Sequence, residues 1–259
     1  MKPSLLRLEQ VTLTSPTRTL CQSLSLTIAS GEIWGILGPN GSGKTTLLHT
    51  LAGLHPLKEG TIFLNEKKLS HYPVKSLAQH IGLLFQEMTF PFPQTIWEYC
   101  LTSRYPHLSY FQTKNTQDTQ CVVEALHTMS LSELMHQPMQ TLSGGEKRRA
   151  AIAALLVQAP AIYLLDELTN HLDLRHQLIA LSHFKRLAAQ AGAVTLMTLH
   201  DINLAQQFCH RILLLLPDGR VLHGPTETLL TKDNLSALYE HPISTSSPES
   251  PPCWHPLYA

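Results

Sequence analysis

Four short apolar runs punctuate the chain, and each ends on a turn or a polar side chain. Ile33–Leu37 leads into Gly38, Ile81–Phe85 into Gln86, Ile162–Leu165 into the acid pair Asp166 and Glu167, and Val194–Leu199 into His200. Continuous apolar runs of this length, separated by segments of helical periodicity, predict strands of a parallel sheet buried on both faces. Open α/β sheets bind ligands beyond the carboxyl ends of their strands, so the residues that terminate these runs are predicted to share one crevice.

The flanking segments read differently. Leu6–Leu13 and Ser23–Ile28 cluster or alternate apolar residues around a turn at Ser15–Arg18, as antiparallel strands do, and Thr61–Leu64 is expected to join them. Between Gln86 and Ser143 the strand pattern stops. Val122, Leu126 and Met129 fall at helical spacing while Pro91, Pro93, Pro106 and Pro138 break the segment, which predicts a mostly helical insertion. A short helix is expected over Asn234–Tyr239, followed by a poorly ordered tail containing STSSPESPP. The sequence shows no internal repeat.

Composition narrows the classes. With 259 residues, 43% hydrophobic and 15% charged, the chain can bury one substantial α/β core and a smaller lobe. Basic and acidic residues balance at 19 each, which argues against a broad electrostatic footprint, and no nucleic-acid partner is expected. The densest basic run, Lys147–Arg149, reads as a solvated helix face. Cys21, Cys100, Cys121, Cys209 and Cys253 are odd in number with no C-x-x-C pair, which suits reduced thiols in a cytoplasm. Met1–Leu13 lacks the pattern of a signal peptide, so export is not expected. Ala150–Leu165, the most apolar stretch, is interrupted by Gln158 and Pro160 and falls short of the roughly 20 residues of a membrane span. Work at a membrane would need another chain to cross it.

The candidate chemistry begins at GPNGSGKT, which fits G-x-x-x-x-G-K-[ST] between a predicted strand and a helix opening at Thr46. Its residues are Gly38, Pro39, Asn40, Gly41, Ser42, Gly43, Lys44 and Thr45. Backbone N–H groups around Gly41–Lys44 would surround a β-phosphate, Lys44 would reach the β- and γ-oxygens, and the Thr45 hydroxyl would ligate Mg²⁺. At the end of IYLLDE, Asp166 is expected to hold Mg²⁺, usually through water, and Glu167 to orient and polarise an attacking water. His200 is expected to contact the γ-phosphate and Gln86 to reach the metal or the water.

A second glycine turn lies in TLSGGEKRRA. Ser143, Gly144, Gly145 and Glu146 can cap a helix beginning near Lys147, giving a second anion site at its N-terminus. That site has no counterpart of Lys44 or Thr45, so it looks like half a site completed by another molecule. Here the chain resembles the ATP-binding cassette (ABC) ATPases, for which LSGGE is the signature. The resemblance runs from about Leu6 to Tyr239 with motifs in family order: Gly38–Thr46 as the Walker A loop, Gln86 as the Q-loop residue, Ser143–Glu146 as the signature, Asp166 and Glu167 as the Walker B end, Asn170–Asp173 as the D-loop and His200 as the switch histidine.

The resemblance implies a P-loop NTPase (RecA-like) α/β fold with a mostly parallel sheet, an N-terminal antiparallel β subdomain and an inserted helical subdomain. A single domain over 1–240 is expected, with core and antiparallel parts in 1–80 and 150–230, a helical subdomain at about 87–149, and a Pro/Ser-rich tail over 241–259. It further implies ATP hydrolysis with Mg²⁺, held by Thr45, Gln86 and Asp166, in a head-to-tail homodimer where the signature of one cassette and the phosphate loop of the other close over each ATP. The D-loop residue Asp173 and the signature residues then serve that interface, and the helical insertion docks integral-membrane permease subunits.

Three features depart from the family pattern. Ser15 and Pro16 occupy the place of an aromatic residue that stacks on adenine, Leu168 replaces a common proline, and Arg148 stands where glutamine is common. None removes a phosphate, metal or water-activating group, so hydrolysis remains the expectation. SRYPH (Ser103–His107) looks like the G-R-x-P-H element of uptake cassettes for iron-siderophore, haem and cobalamin complexes, and HLDLRHQ (His171–Gln177) and LHDINLA (Leu199–Ala205) are similar to the same subfamily. This implies an importer of a metal-chelate cargo at the cytoplasmic face of the inner membrane, served indirectly by a substrate-binding protein. A zinc or manganese cassette, an exporter subunit and a soluble regulatory cassette with little turnover stay open as alternatives.

Overall fold

A computed structural model describes residues 4–15, 19–108, 116–245 and 252–256. The first half contains β1 (Ser4–Thr14), β2 (Thr19–Ala29), β3 (Ile33–Leu37), α1 (Lys44–Leu51), β4 (Glu59–Leu64), β5 (Lys67–Lys68), α2 (Val74–His80), β6 (Ile81–Leu84), α3 (Ile96–Thr102) and α4 (Thr116–Thr128). The second half contains α5 (Gly144–Gln158), β7 (Ile162–Leu165), α6 (Leu174–Ala191), β8 (Val194–Thr198), α7 (Ile202–Phe208), β9 (Arg211–Leu215), β10 (Val221–Pro225), α8 (Thr226–Leu229), α9 (Lys232–Tyr239), β11 (Ile243–Thr245) and β12 (Trp254–Pro256).

The central sheet has the order β10-β9-β3-β8-β7-β6, parallel throughout except for β10 on one edge. The four apolar runs are its adjacent strands β3, β8, β7 and β6. The parallel strand β9 was not anticipated. Its apolar run leads into Pro217 and a turn, so it carries no polar side chain of the kind that marked the other four. The expected antiparallel strands form the second sheet, β2-β1-β4-β5. Of the turn expected at Ser15–Arg18, residues 16–18 lie outside the described residues.

Burial on both faces explains the unbroken apolar runs. Successive strand side chains point to opposite faces. Accordingly Ile33, Leu37, Tyr163, Leu165 and Met197 enter a core shared with α3 to α7, while Trp34, Ile36, Ile162, Leu164, Val194 and Leu196 enter a second core shared with α1 and the antiparallel sheet. Every residue of β3, β7 and β8 is buried.

Three expectations need correction. Lys147–Arg149 is not a uniformly solvated face, because Arg148 is only 1% exposed. The signature helix starts at Gly144, three residues before Lys147, because Ser143 itself is the N-cap. The poorly ordered tail is also corrected in part: Ile243–Thr245 pairs antiparallel with Trp254–Pro256, and Trp254 is buried against the helical-side core. Residues 246–251, most of STSSPESPP, lie outside the described residues.

Candidate nucleotide site

The strand ends do converge, and Glu167 is where they meet. Its Oε2 accepts a hydrogen bond from Gln86 Nε2 at 2.9 Å, beyond β6, and another from Asn170 Nδ2. Its Oε1 lies 3.0 Å from His200 Nε2, beyond β8. Glu167 adopts a left-handed backbone, φ 51°, which costs a non-glycine residue about 1–3 kcal/mol and persists only when its surroundings fix it. Those surroundings are specific: Glu167 N donates to Thr198 Oγ1 at 2.7 Å, and the same hydroxyl donates to Asp166 Oδ1 at 2.9 Å. Thr198 was missed in the sequence because a threonine inside an apolar strand looks like β-propensity rather than chemistry. Leu168, which replaces the family's proline, is fully buried in the core.

Beside this cluster lies the phosphate loop. Gly43 closes it at φ 106°, open to glycine and strained for any other residue, and α1 begins at Lys44 with no side chain capping it. Lys44 Nζ donates to the carbonyls of Gly38 and Pro39 at 2.8 and 3.0 Å. Burial pushes its pKa below the ordinary value, while the charges of Glu167 and Asp166 pull it back up. Two buried oxygens here, Ser42 Oγ and Asp166 Oδ2, have no partner in the protein. Buried polar atoms are rarely left so. Oxygen ligands beside a phosphate loop are what Mg²⁺ takes, so the residues present fit a magnesium nucleotide.

The signature stands apart in its chemistry. Ser143 and Glu146 form a reciprocal capping box: Ser143 Oγ accepts from Glu146 N, and the Glu146 carboxylate accepts from Ser143 N at 2.8 Å and Oγ at 2.7 Å. The two glycines have different reasons. A Cβ on Gly145 would sit 2.9 Å from the His171 carbonyl, whereas one on Gly144 would meet nothing within 4 Å. Asp173 caps α6 by accepting from His176 N at 2.8 Å, and that bond holds its carboxyl below the usual range.

The match to a family model decides the lineage: residues 21–170 fit that of the ABC transporter. The chain belongs to the ABC transporter family. Members are ATP-binding, ATP-hydrolysing subunits of transporters. The cassette is 36% identical over 234 residues to the ferric enterobactin transport ATP-binding protein FepC of Escherichia coli (strain K12), covering 90% of this chain and 86% of that one. It is also 36% identical to the ABC transporter ATP-binding protein YvrA of Bacillus subtilis (strain 168), but spans only about half, 53%, of that protein's length. Among solved structures it is similar to a metal-chelate type ABC transporter in an inward-facing conformation, with TM-score 0.84, 29% identity and coverage of 99% of this chain and 98% of that one. A dimeric cassette, MJ0796, bound to ADP and Pi matches with TM-score 0.76 and 27% identity over 86% of this chain and 99% of that one.

The elements that suggested a subfamily turn out to be structural clasps in the cassette. In SRYPH, Arg104 pairs with the buried Asp118 at 2.8 Å and donates to the Val157 carbonyl, while His107 Nε2 lies 2.7 Å from the Gln158 carbonyl. Both side chains thus serve carbonyls left over at the C-terminus of α5. In HLDLRHQ, Gln177 bonds the carbonyls of Thr169 and Leu172 around the D-loop. In LHDINLA, Asp201 caps α7 and Asn203 exchanges hydrogen bonds with the backbone of Trp254. Beside Ser15 opens a cleft of about 400 Å³ lined by Thr14, Thr46, Thr50 and His55. Among the described residues no helix is long and apolar enough to cross a membrane.

Proposed function

We propose that the cassette hydrolyses ATP as one half of a head-to-tail homodimer and drives an importer of a metal-chelate cargo. The observation that carries this reading is the convergence of Gln86, Asn170 and His200 on the Glu167 carboxylate, next to Lys44 and the phosphate loop. The backbone of Gly38–Thr46 cradles the phosphates and Lys44 releases its loop carbonyls to reach them. Thr45, Asp166 and Gln86 would hold Mg²⁺, which would neutralise phosphate charge. Glu167 takes a proton from the attacking water, His200 contacts the γ-phosphate, and Gln86 reports the state of the site to the helical insertion. The adenine enters the cleft beside Ser15, where His55 offers the one aromatic ring among the described lining residues.

The signature, from Ser143 to Glu146, presents the open Gly144 to the partner's nucleotide, and Asp173 lies at that same interface. Closure over ATP then does work on two permease subunits because ATP favours the closed dimer over the open one. The importer reading and the iron-siderophore class rest on the similarity to FepC and to the metal-chelate transporter, and haem or cobalamin stay in the class through the SRYPH, HLDLRHQ and LHDINLA elements. On this reading the cassette works at the cytoplasmic face of the inner membrane, with a substrate-binding protein acting through the permease.

The test is a pull-down of tagged Glu167→Gln protein from detergent-solubilised native membranes with Mg-ATP. ATPase turnover of this variant should fall by roughly 100-fold or more while ATP binding persists. Recovery of a polytopic permease is the expected result. Unchanged turnover overturns the role of Glu167, and recovery of soluble partners alone overturns the importer.

A further inference from the structure

Arg148 is a buried cation bonded to neutral groups. From the second turn of α5, its Nη1 donates to the Phe85 carbonyl at 2.5 Å, and its Nη2 donates to the carbonyls of Asp166 and Glu167 at 2.5 and 2.6 Å. Its Nε finds no acceptor. Burial pushes the guanidinium down to about 10, and the carboxylates of Asp166 and Glu167 raise it only partly back. A buried charge is expensive unless its surroundings repay it, and carbonyl acceptors repay less than a carboxylate would. A structural filler of this core would be better apolar.

The three carbonyls share one meaning. Phe85 immediately precedes Gln86, and the Asp166 and Glu167 carbonyls bracket the left-handed residue that carries the proposed base. The peptide between Asp166 and Glu167 is therefore gripped from both sides, its N–H by Thr198 and its carbonyl by Arg148. A planar fork reaches several acceptors at once; a lysine ammonium is a compact charge without that fork. The same helix presents Gly144 at its N-terminus, so one rigid element joins the signature to the backbone of the Glu167 turn and the Gln86 strand end.

We propose that Arg148 is a positioning residue for catalysis: by holding the carbonyls of Phe85, Asp166 and Glu167 it fixes the turn on which the Glu167 carboxylate and the Gln86 side chain meet, and ties that turn to the signature helix. The inference rests on the reading of Glu167 as the base. In the full cassette with Mg-ATP, Arg148→Met, which keeps the length and removes every donor, should lower kcat by about 10- to 100-fold with KM for ATP changed by less than about threefold. Arg148→Lys, which keeps the charge without the fork, should show the same kcat loss and supplies the comparison if Arg148→Met does not fold.

A double-mutant cycle separates positioning from a general loss of structure. In the Glu167→Gln background, Arg148→Met should change the single-turnover rate by less than about twofold, because the group it positions is gone. An unchanged kcat in a folded Arg148→Met or Arg148→Lys protein, or the same fold-loss in both backgrounds, would overturn the proposal. If Glu167→Gln itself leaves turnover intact, the assignment of the base falls and the proposal with it. If Glu167→Gln abolishes turnover while the Arg148 variants do not reduce it, only the proposal falls.

Discussion

Helices α1 and α5 both begin at glycine-rich turns, yet their first turns are built oppositely. At α1 no side chain caps the helix and the first turn carries a cation, Lys44. At α5 the cap is complete and the first turn carries an acid, Glu146. A helix N-terminus attracts anions through its free N–H groups and dipole, and the companion charge decides whether one chain alone can use that attraction. Lysine adds to it, whereas Glu146 and its capping box spend part of it on the protein itself. The first turn is equipped to hold phosphate unaided; the second, in the proposed dimer, meets a nucleotide already held elsewhere.

Removing the cation is the strongest way to break this contrast. Lys44→Ala should weaken ATP binding by the single chain by about 10- to 100-fold, measured by calorimetry with Mg-ATP, whereas α5 cannot substitute. Gly144→Ala probes the other side. The space around Gly144 is open, so the melting temperature should hold and single-chain ATP affinity should not change, while turnover falls by about tenfold or more as the methyl meets the partner's nucleotide. An unaffected turnover would show that the open face of Gly144 has no partner.

Its neighbour should behave in the reverse sense. In Gly145→Ala the new Cβ presses on the His171 carbonyl, and the overpacking should cost about 1–3 kcal/mol, read as a drop of a few degrees in Tm. The smallest effect concerns acid. Hydrogen bonds from Ser143 hold the Glu146 carboxyl below its ordinary 4.5, so its stabilising contribution is complete above that value and is lost as pH falls through the lower value of the folded chain. The Tm advantage over Glu146→Gln should therefore be level above about pH 5 and shrink only below 4.5, by little, because the group is exposed to solvent.

Much of the site was legible because its chemistry is local in sequence. Gly38–Thr46 declares itself by spacing, and Gln86, Glu167 and His200 by standing at the ends of apolar runs. Arg148, Thr198 and β9 were not legible, for different reasons. Arg148 lies in a basic run, and only the packed helix shows that one of three charges turns inward. Thr198 is chemically active only because β8 lies beside β7. Strand β9 ends in a turn with no functional side chain, and the pairing of Ile243–Thr245 with Trp254–Pro256 joins segments whose connecting composition suggests looseness.

That pairing has a consequence for the order in which the protein matures on the ribosome. Asn203 and Gln206, on the helix just after His200, are bound by Trp254, which lies 51 and 48 residues later. At about 5–20 residues per second, roughly 2 to 10 seconds of translation separate the helix from its clasp. The phosphate loop and the acid pair are complete well before then. His200 acquires its anchored support late, after the phosphate loop and the acid pair have been made.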